Sequence, residues 1–172
     1  MPTIVFISGL SGTGKSTIVD YLRNNPVDGW SLYDYDKGEF TAPADEKQHL
    51  EWRKKQSESW LKIAIENSRN NIKTCVLGMA LYPANTYELP SAKIFGDNIH
   101  LALIDCADEE RKKRLFDRGT PEHWQGEKDF YAEFRQLNTE HRGKTFDTTD
   151  KTVEETACEI KDWLENLESE NG

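Results

Sequence analysis

Residues 3–17 read TIVFISGLSGTGKST, and this stretch decides the fold. Its first six residues are β-branched, aromatic or small and uncharged, the pattern of a strand covered on both faces of a parallel sheet. Gly9-Leu10-Ser11-Gly12-Thr13-Gly14-Lys15-Ser16 follows and fits the pattern G-x-x-x-x-G-K-[ST] at every required position. Residues 16–23 then have the composition of a helix, ended by Asn24-Asn25-Pro26, because proline and the residue before it resist helix. A glycine-rich turn between strand and helix can wrap a phosphate with backbone N–H groups where a Cβ would obstruct it. Gly9, Ser11, Gly12, Thr13, Gly14 and Thr17 are therefore expected around a nucleotide's phosphates. Lys15 is expected to reach the β- and γ-phosphates and the Ser16 hydroxyl to ligate Mg²⁺, with the helix N-terminus adding positive potential. A dinucleotide fold could use Asp34 at the second strand's tip but leaves Lys15 and Ser16 without a task.

Outward from this stretch, residues 30–33 form a short strand ending in Asp34-Tyr35-Asp36, and 45–70 form a long helix with Trp60, Ile63, Ala64 and Asn67 on one face. Strands are expected at 73–78 and 98–106, with an irregular segment at 83–90 between them. A helix over 108–118 carries acids in its first turn and bases after, as its dipole prefers. A polar loop to 127, a helix over 129–140, a strand at 144–146 and a last helix follow. The last helix has an apolar stripe of Val153, Ala157, Ile160, Leu164 and Leu167. Alternating strands and helices predict one α/β domain over 1–172, a five-stranded parallel sheet flanked by helices in three layers. The acidic tail, 168–172, is expected to fray.

The chain is 172 residues long, enough to bury a core without disulfides. Its longest apolar run, near 99–104, is far short of the roughly 20 residues of a membrane span, so a soluble, cytoplasmic protein with no signal peptide or anchor is expected. Cys75, Cys106 and Cys158 have no CxxC spacing and leave one unpaired under any scheme, which points to a reducing compartment. The net charge of -9 argues against nucleic-acid partners. The four histidines, His49, His100, His123 and His141, show no metal-ligand spacing.

Asp34 and Asp36 leave the second strand at the edge of the sheet that carries the phosphate loop. In an extended segment, residues two apart face the same way, so both carboxylates could point into one cleft. One would serve Mg²⁺ and the other would orient and deprotonate an acceptor hydroxyl. The same letters also read as an acidic turn. With the phosphate loop, Leu32-Tyr33-Asp34-Tyr35-Asp36 resembles the nucleoside-monophosphate-kinase-like group of P-loop kinases, which includes adenylate, shikimate and gluconate kinases. The Asp-x-Asp arrangement is similar to that of shikimate kinases, in which the first acid serves the metal and the second binds the acceptor. The resemblance implies those roles for Asp34 and Asp36. Where shikimate kinases have a glycine run, this chain has Leu77-Gly78-Met79-Ala80-Leu81-Tyr82.

Arg111, Arg114 and Arg118 share one helix face, suited to phosphate oxygens or equally to pairing with Asp108 and Glu110. The resemblance places a lid at about 119–128, with Gly119 and Gly126 as hinges, and implies that Arg114, Arg118 and Arg135 close over the phosphates and acceptor. It further implies acceptor contacts for Arg53 and Gln56 and a nucleotide-lining role for Thr149. Read together, these features predict an ATP- and Mg²⁺-dependent phosphotransferase with catalytic Lys15, Asp36, Arg114 and Arg118, acting as monomer or homodimer on a small hydroxyl- or phosphate-bearing acceptor. A regulatory NTPase lacks support from any Asn-Lys-x-Asp segment, while a polynucleotide or nucleotide-sugar kinase would use the same parts.

Overall fold

The computed structural model describes residues 1–78 and 81–167, and the side chains of all of these but 126–129; Met79, Ala80 and the acidic tail 168–172 lie outside the described residues. β1 (Ile4–Gly9) is the middle of a five-stranded sheet in the order β2 (Trp30–Asp34), β3 (Lys73–Leu77), β1, β4 (Ile99–Asp105), β5 (Lys144–Asp147). Every pairing is parallel. The three-layer arrangement predicted from the sequence is the one observed.

β1 is buried throughout because its alternate residues feed two cores. Val5 and Ile7 pack with Ile18 and Leu22 of α1 (Lys15–Asn24) and with Ala157, Ile160 and Leu164 of α6 (Val153–Asn166). Ile4 and Phe6 face Trp60, Leu61 and Ala64 of α2 (His49–Ser68). The apolar stripe read from the sequence thus lies on the sheet, with Val153 and Leu167 at its margin. Thr152 and Glu155 close a reciprocal capping box at the start of α6. No helix among the described residues is long and apolar enough to cross a membrane.

Three local expectations change. β2 does not continue as an extended Asp-Tyr-Asp segment: residues Tyr35–Lys37 form a 3₁₀ turn, with the Asp34 carboxylate accepting from the Asp36 N–H at 3.1 Å. The cause is Tyr35, fully buried, whose hydroxyl bonds to the Arg53 carbonyl and to Ser57, each at 2.9 Å. The irregular 83–90 segment contains a short helix, α3 (Pro83–Tyr87), opened by its proline. After α4 (Asp108–Asp117), the expected polar loop to 127 is helical from Glu122, as part of α5 (Glu122–Glu140). Pro121 enters this helix with φ -65, and Trp124 is buried beneath the Arg111 guanidinium, 5.4 Å away; that burial outweighs the polar composition around it.

Gly78 ends β3 with φ 154, its N–H bonded to the Ile7 carbonyl at 2.9 Å. A Cβ on it would stand 2.3 Å from the Tyr35 Cβ. Gly78→Ala is expected to lower the unfolding free energy by about 2–3 kcal/mol, the scale of overpacking a filled interior. Urea unfolding followed by circular dichroism checks this, and a wild-type midpoint would show that the Tyr35 turn yields without cost.

Candidate active site

Between β1 and α1 the chain crosses residues 9–16 with Gly12 and Gly14 at φ 86 and 90, conformations that side chains rarely adopt. The loop's carbonyls are tied down one by one. Leu10 accepts from the Thr13 hydroxyl at 2.9 Å, Ser11 from Arg111 Nε at 3.0 Å and Gly12 from the Cys106 thiol at 3.9 Å. Thr13 accepts from the Thr148 hydroxyl at 2.8 Å and Gly14 from the Ile18 N–H at 3.2 Å. No side chain caps α1, and its first turn holds no acid. Its leading N–H groups lack intrahelical partners, which is the polarity an anion takes up. Lys15 is half-buried, while Ser16 and Thr17 are exposed in that turn.

The arginine face of α4 divides. Arg111 is buried at 1% exposure behind the loop, stacked against Tyr131 at 4.6 Å as well as Trp124. Gly12 fits beside it because it lacks a side chain: a Cβ would meet Leu115 Cγ at 3.0 Å and the Arg111 backbone oxygen at 3.3 Å. Arg114 donates from Nε to Glu110 at 2.8 Å and from its two terminal nitrogens to the Thr148 hydroxyl and carbonyl, at 3.0 and 2.8 Å. Its Nη1 also stands 3.9 Å from where a Gly14 Cβ would be, so it borders the phosphate loop. Arg118 is exposed beyond the last turn, just before Gly119 at φ 78.

Thr149 sits in the turn after β5, donating to Asp147 at 2.5 Å and accepting from the Ala107 N–H at 2.8 Å. The turn's hydrogen bonds hold the Asp147 carboxyl below its ordinary range. Arg135 is spent on β4: it grips the Asp105 carboxylate at 2.7 and 2.9 Å, reaches Asp108 at 2.8 Å and lies over Tyr131 at 4.1 Å. Burial works against its cation, but the bonds to Asp105 and Asp108 outweigh burial and keep the guanidinium above its usual value. Burial likewise pushes the Cys106 thiol up to about 11, against the opposing pull of Arg114, which keeps a proton on the sulfur facing Gly12.

On the β2 side, the paired-carboxylate geometry expected from an extended strand is replaced by the 3₁₀ turn. Asp34 bonds to the Asp36 N–H and lies 3.5 Å from Arg23, while Asp36 is exposed. Gln56 does not face a cleft: it is fully buried, donating to the Tyr35 carbonyl at 2.8 Å and accepting from the Phe40 N–H at 2.9 Å. The expectation of a substrate contact there fails because both ends of its amide hold the 35–40 loop against α2. Arg53 does face a cleft. It lines a cavity of about 540 Å³ with His49, Leu50, Leu81, Tyr82 and Phe130, and it feels the charge of Asp36. Sequence reading missed Tyr82 and Phe130, whose rings meet at a 40° tilt with centroids 5.6 Å apart, across chain segments far apart. His49 stands one helical turn before Arg53, the only local signal for the cavity.

Among the described residues no group of three or more His, Cys, Asp or Glu could hold a metal by itself. The exposed Ser16 hydroxyl is an oxygen donor that would suit a Mg²⁺ brought in by a nucleotide.

A family model described as AAA domain matches residues 5–136. No curated protein matches the chain. Among solved structures, the shikimate kinase of Acinetobacter baumannii in complex with shikimate is 18% identical, with a TM-score of 0.62 over 97% of this chain and 95% of that one. A gluconokinase from Sinorhizobium meliloti 1021 is 15% identical, with a TM-score of 0.59 over 99% and 98%. The thymidylate kinase of Candida albicans is 11% identical, with a TM-score of 0.58 over 97% and 92%. At these identities the likeness is one of fold, that of the P-loop kinases.

Arg111→Met is expected to destabilise the protein by about 3 kcal/mol, since the Ser11 carbonyl loses its donor within the interior. ATP affinity should fall with it, whereas Arg118→Ala should leave the melting temperature unchanged. Thermal unfolding and calorimetric ATP titration of both variants check this.

Proposed function

The chain belongs to the AAA domain family, and on that premise we propose that it is a kinase that uses ATP and Mg²⁺ to phosphorylate a small molecule at a hydroxyl or phosphate oxygen. The observation that carries the reading is the phosphate loop, whose carbonyls are held from behind while the uncapped start of α1 is left for an anion. At the same edge of the sheet, past the end of β2, stands an exposed carboxylate, Asp36, whose charge is felt by Arg53 in the lining of a cavity of about 540 Å³.

Phosphoryl transfer asks mainly for positioning and charge neutralisation. Gly9, Ser11, Gly12, Thr13, Gly14 and Thr17 surround the phosphates, Lys15 draws charge from the β- and γ-oxygens, and Arg114 adds a guanidinium at the loop's edge. Mg²⁺, held by Ser16 and on its outer side by Asp34, would supply further neutralisation of the phosphate oxygens. Asp36 accepts the acceptor's proton as the new oxygen–phosphorus bond forms; the bond from γ-phosphorus to the bridging oxygen breaks, and ADP leaves. Arg118, next to the left-handed Gly119, would reach the phosphates from the end of α4. Arg53 orients the acceptor, and Arg135 acts indirectly by holding Asp105 at the sheet edge. Thr149 lines the base, and ATP is preferred to GTP because no guanine-reading segment is present. The free thiols of Cys75, Cys106 and Cys158 support a cytoplasmic setting.

ADP release measured across nucleosides, nucleoside monophosphates, sugars, sugar acids and polyols is expected to single out one class. Lys15→Ala should abolish most of that turnover with an unchanged circular dichroism spectrum. Asp36→Asn should cut turnover by about 10²- to 10⁴-fold, the general-base range, with ATP affinity retained. ATP affinity and turnover unaffected by Lys15→Ala would overturn the proposal, and wild-type turnover in Asp36→Asn would move the base elsewhere.

A further inference from the structure

Among the described residues three helices end on the same backbone device, in which the chain turns left-handed just past the helix and two N–H groups reach back to the last turn. After α2, Asn71 and Ile72 donate to Ser68 and Asn67; after α4, Gly119 and Thr120 donate to Phe116 and Leu115. After α5, Arg142 and Gly143 donate to Thr139 and Asn138, at 3.0 and 2.7 Å. The left-handed residue is Asn71 at φ 57 in the first and Gly119 at φ 78 in the second, the two residue types that tolerate this conformation best. In the third it is Arg142, at φ 55, although glycine is the next residue in the chain. An arginine held there works against stability, and backbone strain of this kind gathers where a side chain has another use.

The use is visible in the surroundings. Arg142 lines a cavity of about 450 Å³ at the start of β4 and β5, together with His100, His141, Lys144, Tyr87 and Trp163. Among the described residues no carboxylate lines it, in a chain of net charge -9. Nor do Arg142 and Lys144 form an ion pair among the described residues. The Tyr87 and His141 rings are near parallel, 27° apart with centroids at 6.1 Å, and Trp163 adds a third aromatic wall. The turn that presents the cations is rigid: Asn138, 2% exposed, donates to the carbonyls of Gly143 and Lys144 and to the Thr145 hydroxyl. Cations preset on a rigid turn above aromatic walls suit a ligand with an anionic head and a flat body.

We infer that this cavity is a second binding site, for a small phosphorylated or otherwise anionic ring compound, independent of the kinase reading. It lies at the starting ends of β4 and β5, whereas the phosphate loop follows the far end of β1, a strand about 17 Å long over its five residue-to-residue steps of roughly 3.3 Å.

Phenyl phosphate is the probe, followed by two-dimensional NMR of the intact chain. The Gly143 amide and the Trp163 indole N–H are expected to shift with phenyl phosphate, and about fivefold more weakly with inorganic phosphate, which lacks the ring. Arg142→Gly is expected to bind phenyl phosphate about tenfold more weakly while melting about 2–4 °C higher, since glycine relieves the turn. Lys144→Ala, on an exposed strand position, should also weaken binding. Shifts confined to Gly12 and Gly14 of the phosphate loop would overturn the site, as would unchanged affinity in both variants. An Arg142→Gly protein that melts lower than wild type would overturn the premise of strain.

Discussion

A loop that offers N–H groups to an anion must dispose of the carbonyls on the other side of the same peptide units. From Leu10 to Gly14 each carbonyl has a donor, and the donors come from the loop itself, from α1, from α4, from the end of β4 and from the turn after β5. Interior carbonyls without partners would cost on the order of 1–3 kcal/mol apiece. The elements that close the sheet's far half therefore also hold the phosphate loop open.

This constraint explains why α4 and α5 pack as they do. The Arg111 guanidinium must be buried to reach Ser11, and a buried guanidinium needs cover, which Trp124 and Tyr131 supply from α5. Tyr131 in turn shares the Asp105 carboxylate with Arg135. A chain of contacts thus runs from the phosphate loop through one arginine to a second, and the helix that carries the latter is fastened to β4. Of the arginines on the α4 face, Arg111 is committed to the interior, Arg114 borders the loop and Arg118 stands exposed.

The phosphate loop and the alternation of strands and helices were legible because their signals are local: a spaced set of glycines ending in Lys15-Ser16, uncharged strands and the α6 stripe. What the sequence concealed lay in partners distant along the chain. Tyr35 turns inward because its hydroxyl finds the Arg53 carbonyl and the Ser57 hydroxyl, 18 and 22 positions away, and that burial converts an extended Asp-x-Asp into a capped turn. Gln56 has the spacing of a cleft residue on α2, but its amide is taken by a loop that composition alone left shapeless. Helical spacing put Arg111 and Arg114 on one face without revealing that this face splits between interior and rim. The start of α5 was missed because Trp124 owes its burial to a cation on another helix.

The Tyr35 carbonyl receives two donors from α2, the Gln56 amide at 2.8 Å and the Trp60 indole at 3.3 Å, and the next residue is Asp36. α2 also forms one wall of the cavity at Arg53. The helix therefore acts as a gauge bar between the carboxylate and the space an acceptor would fill, and the two cannot be adjusted separately from that side. Under the proposed reaction, an engineer who widens the cavity by altering α2 would retune rate along with choice of acceptor. One who works from Leu81, Tyr82 and Asn85, on the opposing wall, could alter selectivity and leave the carboxylate's alignment alone.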